Sequence, residues 1–134
     1  GVAPGTYRIR ARAESGSYIQ QFHENVIYWD DASTVAVSGT EEVQGIDFAL
    51  KRGATISGRV VDRSTGLPIP NMYLHARPAD HEELAWDETR ADGTYVLRGL
   101  PDGLIEVVVD GQGYVTVTKT VIIRDGQDVT NFDF

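Results

Sequence analysis

The side chains with the most evident binding chemistry in this 134-residue chain form a short aromatic and acidic run, Tyr28, Trp29, Asp30 and Asp31. Aromatic rings can stack on the apolar face of a sugar ring, and neighbouring carboxylates can accept hydrogen bonds from its hydroxyls. The simpler interpretation is that the rings pack over neighbouring apolar residues, and we favour packing. Trp86 is a second candidate for sugar contact, although a tryptophan in a β-sandwich more often belongs to the core.

Histidine and carboxylate side chains cluster in the sequence at one place, which comprises His75, Asp80, His81, Glu82 and Glu83. A metal ion needs such ligands to converge at short range. The pattern predicts a strand at residue 75 and a loop at residue 81, so a solvated acidic loop is the expected arrangement. The acids at 30–31 and at 125 and 128 lack the dense oxygen-ligand spacing of a calcium loop. We therefore expect no metal site and no cofactor.

Catalytic machinery is not expected either. Catalysis needs a nucleophile with its base, or two carboxylates held in one pocket. The sequence shows acids scattered over turn segments, three separated histidines and no nucleophile motif. We therefore expect a non-enzymatic protein with no catalytic residues.

The charge pattern excludes two classes of partner. The formal net charge is −8, with 3 basic residues against 7 acids in residues 1–50 and 9 against 13 in residues 51–134, so each part nets −4. Nucleic acid and anionic membranes require a basic face, and the adjacent pair Lys51 and Arg52 is the only basic cluster.

No apolar stretch approaches the roughly 20 residues of a membrane span. The absence of cysteine excludes disulfides but is compatible with export.

Period-two alternation between turn signals predicts short strands throughout the chain. In residues 51–134 the predicted strands cover 55–62, 72–77, 85–89, 94–99, 104–110, 114–124 and 129–134. In residues 1–50 they cover 5–13, 18–22, 34–37 and 43–50. Residues 79–86 are the one stretch that could hold more than a single helical turn. Seven short strands in one unit are typical of a sandwich, so we predict an all-β fold.

The chain also shows internal similarity, which indicates a repeat. Residues 34–48 align over residues 120–134 without a gap, with Thr, Val, Val, Asp and Phe identical. Residues 1–9 align with 99–107, and 16–19 with 112–115. Segment 22–32, which contains Tyr28 and Trp29, is present only in the first copy.

The repeat predicts a domain organisation. Residues 1–50 are expected to be the C-terminal half of a preceding repeat and residues 51–134 a complete one, so that the chain belongs to a tandem array. Half a sandwich would leave an apolar face open, formed by Tyr7, Ile9, Val35, Val37, Ile46 and Phe48, and large patches rarely stay exposed. We expect this half either to pack against the complete unit or to exchange strands with another chain.

Five segments carry a family resemblance: ISGRVVD at 56–62, TGLPIPN at 65–71, TRADGTY at 89–95, GLPDG at 99–103 and GY at 113–114. With them, residues 51–134 resemble the carboxypeptidase regulatory-like domain family, which has a transthyretin-like (prealbumin-like) sandwich and is related in style to Cna B-type repeats. The resemblance implies an accessory or spacer role. The zinc ligands of carboxypeptidases belong to a separate catalytic domain and are not carried over. The isopeptide crosslink of Cna B-type repeats is not expected, because residues 56–62 contain no lysine.

These observations predict a non-catalytic extracellular module that spaces or positions domains of a larger secreted or surface protein of bacterial type. Its partners would be the neighbouring domains of the parent protein, with self-association through the half repeat as a further option. The alternative is a carbohydrate-binding module that holds a polysaccharide on Tyr28 and Trp29, with Asp30, Asp31 and Trp86 in support. A third possibility is protein recognition through an exposed sheet edge.

Overall fold

The computed structural model describes residues 1–111 and 113–134, and strands dominate this part of the chain. Its elements in chain order are β1 (Gly5–Tyr7), β2 (Arg10–Ala11), β3 (Gln21–Phe22), a 3-10 turn (Trp29–Asp31), β4 (Val35–Val37), β5 (Ala54–Arg59), β6 (Tyr73–Pro78), β7 (Ala85–Glu88), β8 (Thr94–Leu100), β9 (Gly103–Asp110) and β10 (Val117–Ile123). Residues 79–86 form a turn and the start of β7, and none of the residues described here lies in an α-helix. None of them therefore forms a helix that could span a membrane.

Residues 54–134 form a sandwich of two sheets. One sheet has four antiparallel strands in the order β10-β9-β6-β7, and the other pairs β5 with β8. The alternation along β9 shows why it is a half-buried strand: Ile105, Val107 and Val109 are buried, whereas Leu104, Glu106 and Val108, which alternate with them, are more exposed. The largest fully buried side chains are Tyr95, Ile56, Leu74, Leu97, Leu100, Ile105, Ile123 and Val107. They all belong to this unit, which therefore has its own core.

Residues 129–134 lie along β5 and close the sandwich. Val129 forms a parallel bridge with Ile56, and the amides of Phe132 and Phe134 donate to Ser57 and Arg59 at 3.0 and 2.9 Å. The strand predicted here is an extended segment rather than a regular strand, because Asn131 adopts a left-handed φ of 56° that interrupts the ladder.

The first two strands of residues 1–50 have different partners. β1 pairs with β4, whereas β2 pairs with β3. The single strand predicted over 5–13 is therefore wrong, because the chain must change partner between Tyr7 and Arg10. The strand predicted over residues 18–22 is shorter in the structure, where only β3 (Gln21–Phe22) is formed.

The β1–β4 ladder has the same register as the aligned residues of β9–β10. Tyr7 lies opposite Val35, and their aligned counterparts Ile105 and Val121 lie opposite each other. Gln112, which opens the block aligned with residues 16–19, lies outside the described residues.

The strand predicted over residues 43–50 is not formed. Its counterpart, residues 129–134, is held by β5. Within residues 1–111 and 113–134 no equivalent of β5 lies beside residues 43–50, so their backbone has no strand with which to pair.

The joint between the two parts of the chain includes backbone hydrogen bonds. The amide of Ile19 donates to the carbonyl of Lys51 at 2.9 Å, and the amide of Gly53 donates to Ser17 at 3.0 Å. Gly99 has a φ of +73°, and a Cβ there would lie 2.5 Å from the carbonyl oxygen of Gly16. The apolar face of residues 1–50, which was expected to be covered either by the complete unit or by another chain, is half-buried at Tyr7, Ile9, Val37, Ile46 and Phe48 and buried at Val35.

Candidate functional site

The predicted aromatic platform lies on the 3-10 turn, which places its two rings in separate packing contacts. The ring of Tyr28 stacks on the imidazole ring of His81, with 3.6 Å between centroids and 6° between planes. Trp29 is 48% exposed, and its ring has the Arg8 guanidinium carbon 4.8 Å from its centroid and Phe22 edge-on at 5.9 Å. One face of each ring is therefore occupied by a protein side chain.

The acids that follow these rings are exposed at the surface. Asp30 lines a hollow of about 140 Å³ together with Asp80 and Glu82. Burial raises the pKa of the Tyr28 phenol, and the nearby carboxylates of Asp31 and Glu82 raise it further. The three carboxylates offer a sugar hydrogen-bond acceptors, whereas the rings that also line the hollow, Tyr28, Trp29 and His81, are already in contact with protein side chains.

Trp86 lies apart from Tyr28 and Trp29, on the outer face of the four-stranded sheet. It is 58% exposed on β7, and Tyr73 on neighbouring β6 is 40% exposed. Their ring centroids are 6.1 Å apart with 29° between the planes. These two exposed rings on the outer face of the sheet offer apolar surface on which a pyranose ring can stack.

The polar groups beside this aromatic pair hold Tyr73 in place. The Tyr73 hydroxyl donates to Glu83 Oε1 at 2.9 Å, and the other oxygen of Glu83 lies 3.1 Å from His75 Nδ1. Burial raises the pKa of Tyr73, and the hydrogen bond to Glu83 raises it further. We call Tyr73, His75, Glu83 and Trp86 the outer aromatic patch. The sequence reasoning missed Tyr73, although its alternation with buried Leu74 marks it as outward-facing.

The opposite edge of β7 borders a groove of about 270 Å³ between the two parts of the chain. Trp86 lines this groove together with Tyr18 and the arginines Arg12, Arg90 and Arg98. Trp86 thus belongs both to the groove lining and to the outer aromatic patch, so an extended ligand could contact both.

The histidine and carboxylate cluster divides between two places. His75 and Glu83 belong to the outer aromatic patch, whereas His81 packs on Tyr28. No three His, Asp or Glu side chains converge as metal ligands within residues 1–111 and 113–134. Asp128 accepts the Thr55 amide at 2.9 Å, so one of its oxygens holds the closing segment on β5.

The fold and surface described above define a β-sandwich module with exposed aromatic side chains on the outer face of its four-stranded sheet. The chain belongs to the carboxypeptidase regulatory-like domain family, whose sequence model matches residues 55–134. The predicted family and the predicted all-β sandwich are therefore confirmed.

The chain is similar to three proteins of different kinds. It is 31% identical to carboxypeptidase E of Caenorhabditis elegans over 96 residues, which cover 64% of this chain and 19% of that protein. The pilus 2b backbone protein of group B streptococcus has a TM-score of 0.51 and 18% identity, over 92% of this chain and 50% of that one. The 5-hydroxyisourate hydrolase of Klebsiella pneumoniae has a TM-score of 0.47 and 19% identity, over 60% of this chain and 84% of that one. The chain thus spans about a fifth of the length of the carboxypeptidase.

Proposed function

We propose that this chain is a non-catalytic structural module that spaces or positions the domains of a larger secreted or surface protein of bacterial type. The observation that carries the proposal is the joint between residues 1–50 and residues 51–134. Ser17 and Ile19 form backbone hydrogen bonds with Gly53 and Lys51, and the backbone of Gly16 lies close against Gly99. Domains joined by a loose linker move relative to one another by default. A hydrogen-bonded joint fixes their relative orientation, as a spacer requires.

The same proposal includes the division into a half repeat, residues 1–50, and a complete repeat, residues 51–134. The equal register of the β1–β4 and β9–β10 ladders supports it. A further support is the shared backbone conformation of aligned positions, since Gly45 and Asn131 have φ values of 78° and 56°. Successive units that contact each other through a built joint form a stiff array.

A distance measurement between spin labels tests the joint. The chain contains no cysteine, so Thr6→Cys on β1 and Thr118→Cys on β10 provide two unique and exposed attachment sites. We expect one narrow distance population. Gly99→Ala should broaden it, because the new Cβ would lie 2.5 Å from the Gly16 carbonyl oxygen. Gly126→Ala is the matched control, because Gly126 also has a positive φ of 66° but open space around it. A broad population in the labelled chain without either glycine substitution would contradict the proposal.

A second candidate function is carbohydrate binding, and the outer aromatic patch is the observation that favours it. Trp86 and Tyr73 expose nearly parallel rings to solvent, whereas Tyr28 and Trp29 each have a face covered by His81 or Arg8. Titration with soluble polysaccharides should quench tryptophan fluorescence. If the patch binds the glycan, Trp86→Ala abolishes the quenching and Trp29→Ala retains it; the reverse result would assign binding to the 3-10 turn. Flat titrations over a broad glycan panel would exclude both sites.

A further inference from the structure

The groove between the two parts of the chain has a positive charge balance, although the chain as a whole carries a net charge of −8. Its charged lining residues are Arg12 and Glu14 from the first part and Asp87, Arg90 and Arg98 from the complete unit. Three guanidinium groups thus meet two carboxylates. Salt screens charges that lie more than about 10 Å away, so this local balance decides which ions the groove attracts.

Asp87 and Arg90 neutralise each other within the groove wall. Oδ2 of Asp87 accepts the Val96 amide at 2.7 Å and Nη1 of Arg90 at 3.2 Å. The same nitrogen of Arg90 also donates to the Thr94 carbonyl at 3.2 Å. Both side chains are therefore already engaged by the protein.

Arg12 and Arg98 supply the remaining positive charge of the groove. Both are exposed, and neither forms an ion pair with another residue in the ranges 1–111 and 113–134. The segment that follows Arg12 packs on Arg98, since a Cβ at Gly16 would lie 3.8 Å from the Arg98 Cβ. A guanidinium group matches a carboxylate through two parallel hydrogen bonds. With Glu14 as the remaining acid of the lining, the groove keeps an excess of positive charge for the carboxylate of a ligand.

The other lining residues indicate that this carboxylate belongs to a sugar. Tyr18 and Trp86 expose aromatic rings on which a sugar ring can stack, and Gln20 adds an amide that can bind hydroxyls. The volume of about 270 Å³ is close to the lower end of small-ligand pockets, about 300 Å³, and suits a single residue of a glycan. Trp86 also belongs to the outer aromatic patch, which offers a place for the next residue.

An acidic peptide fits the groove less well. Peptides commonly bind a sandwich by adding a strand to a sheet edge, where they need free backbone donors. On the β8 side of the groove, the outward amide of Val96 already donates to Asp87. A strand added at this edge would have to displace that contact.

We propose that the groove binds an acidic glycan of the polyuronate class, with Arg12 and Arg98 on the sugar carboxylate and Trp86 against the sugar ring. The inference deepens the carbohydrate-binding candidate described above and rests on it. It adds the class of the glycan, and it places the charged contact in the groove rather than on the outer sheet face.

Titration with a matched pair of oligosaccharides tests the role of charge. The probes are oligogalacturonate and the same oligomer with its carboxylates methyl-esterified, and the readouts are tryptophan fluorescence and calorimetry. The acid form should bind about tenfold more tightly or better, because hydrogen bonds between charged partners are roughly twice as strong as neutral ones. The difference between the two forms should shrink as the salt concentration rises.

Substitutions in the full chain locate the contact. Arg12→Gln and Arg98→Gln should each weaken binding of the acid form by about tenfold and leave binding of the ester unchanged. Trp86→Ala should weaken binding of both forms. The matched control is Arg124→Gln, because Arg124 is exposed, lies outside the groove lining and gives the same change in net charge. It should bind both forms as the parent chain does.

The outcomes separate this inference from the carbohydrate-binding candidate. Equal affinity for the acid and the ester, or equal effects of Arg98→Gln and Arg124→Gln, would overturn the inference and leave the candidate standing. Failure of both oligomers to bind would overturn the inference, and the neutral polysaccharides of the glycan panel then decide on the candidate. A glutamate-rich peptide that binds more tightly than oligogalacturonate, and loses this binding in Arg98→Gln, would also overturn it by assigning the groove to an acidic protein segment.

Discussion

The phenol ring of Tyr28 lies flat against the imidazole ring of His81, with 3.6 Å between their centroids. This contact joins the 3-10 turn to the loop between β6 and β7. Glu82 in the same loop accepts hydrogen bonds from the Trp29 amide and from Gln20 Nε2, both at 3.4 Å. The aromatic segment that distinguishes the first copy is thus anchored on the complete unit.

Removing the imidazole should release this anchor locally. In His81→Ala water reaches the Tyr28 phenol, so the pKa of Tyr28, which burial raises, should fall towards the ordinary 10.0. The stacking contact is worth about 0.5–1.5 kcal/mol, and its loss should not unfold the separate core of residues 54–134. NMR titration of the Tyr28 ring measures the pKa. His75→Ala, which alters the outer aromatic patch instead, is the control, and an unchanged Tyr28 pKa in His81→Ala would contradict the interpretation.

Gly58 should not tolerate a side chain, because residues 129–134, which lie along β5, approach it closely at this residue. A Cβ at Gly58 would lie 2.2 Å from the oxygen and 2.6 Å from the carbon of the Phe132 carbonyl, and both are backbone atoms. We expect Gly58→Ala to lower the free energy of unfolding by about 1–3 kcal/mol, as overpacking does. Urea denaturation measures the change. The control is Gly5→Ala, where the nearest atom to the new Cβ lies at an ordinary 3.6 Å; equal effects of the two substitutions would argue against the close approach.

Thr89 is a buried polar residue that connects two backbone groups. Its hydroxyl accepts the Met72 amide at 2.8 Å and donates to the Ile69 carbonyl at 2.7 Å, and its side chain is shielded at 3% exposure. Thr89→Val keeps the shape of the side chain but leaves the Met72 amide and the Ile69 carbonyl without their hydroxyl partner. We expect the free energy of unfolding to fall by about 1–3 kcal/mol. Thermal unfolding compared with Thr118→Val, on the exposed side of β10, checks the prediction, which fails if both variants are equally stable.

The sequence predicts the complete unit better than the half unit, for a physical reason. Strong alternation, as at Ile105, Val107 and Val109, places β5–β10 within a few residues of their observed bounds. Alternation states which face of a segment is apolar, but not whether a partner strand is present. Residues 43–50 therefore have the pattern of a strand without the ladder.

The candidate site was predictable only in part, because its contacts depend on tertiary topology. Tyr28 meets His81 through the joint between the two parts of the chain, which no local pattern encodes. Tyr73 could have been paired with Trp86, since both are outward-facing residues of one hairpin, β6 and β7. The sugar-binding role of Tyr28, Trp29, Asp30, Asp31 and Trp86 stays a prediction.

Asp62 should make the stability of the complete unit sensitive to acid. Its Oδ1 accepts the amides of Ser64 and Thr65 at 2.8 and 3.1 Å and the Ser64 hydroxyl at 2.6 Å, and its Oδ2 accepts the Tyr114 hydroxyl at 3.1 Å. These bonds, those from Ser64 foremost, lower the pKa of Asp62 from 3.8 to about 2. A lowered pKa in the folded state means that the carboxylate stabilises the fold above the unfolded value, and that this contribution is lost as pH falls through the folded value.

The difference in Tm between the parent chain and Asp62→Asn should therefore be constant above about pH 5 and shrink as the pH falls from 4 to 2. Thermal unfolding followed by circular dichroism at several pH values measures it, and NMR titration of the Asp62 carboxyl locates the midpoint. Asp47→Asn, an exposed carboxylate in the unpaired segment, should show little difference from the parent at any pH. The opposite outcome would be a Tm difference between the parent chain and Asp62→Asn that grows on acidification. The carboxylate would then destabilise the folded turn. In that case the Ser64, Thr65 and Tyr114 hydrogen bonds would not favour the charged form of Asp62.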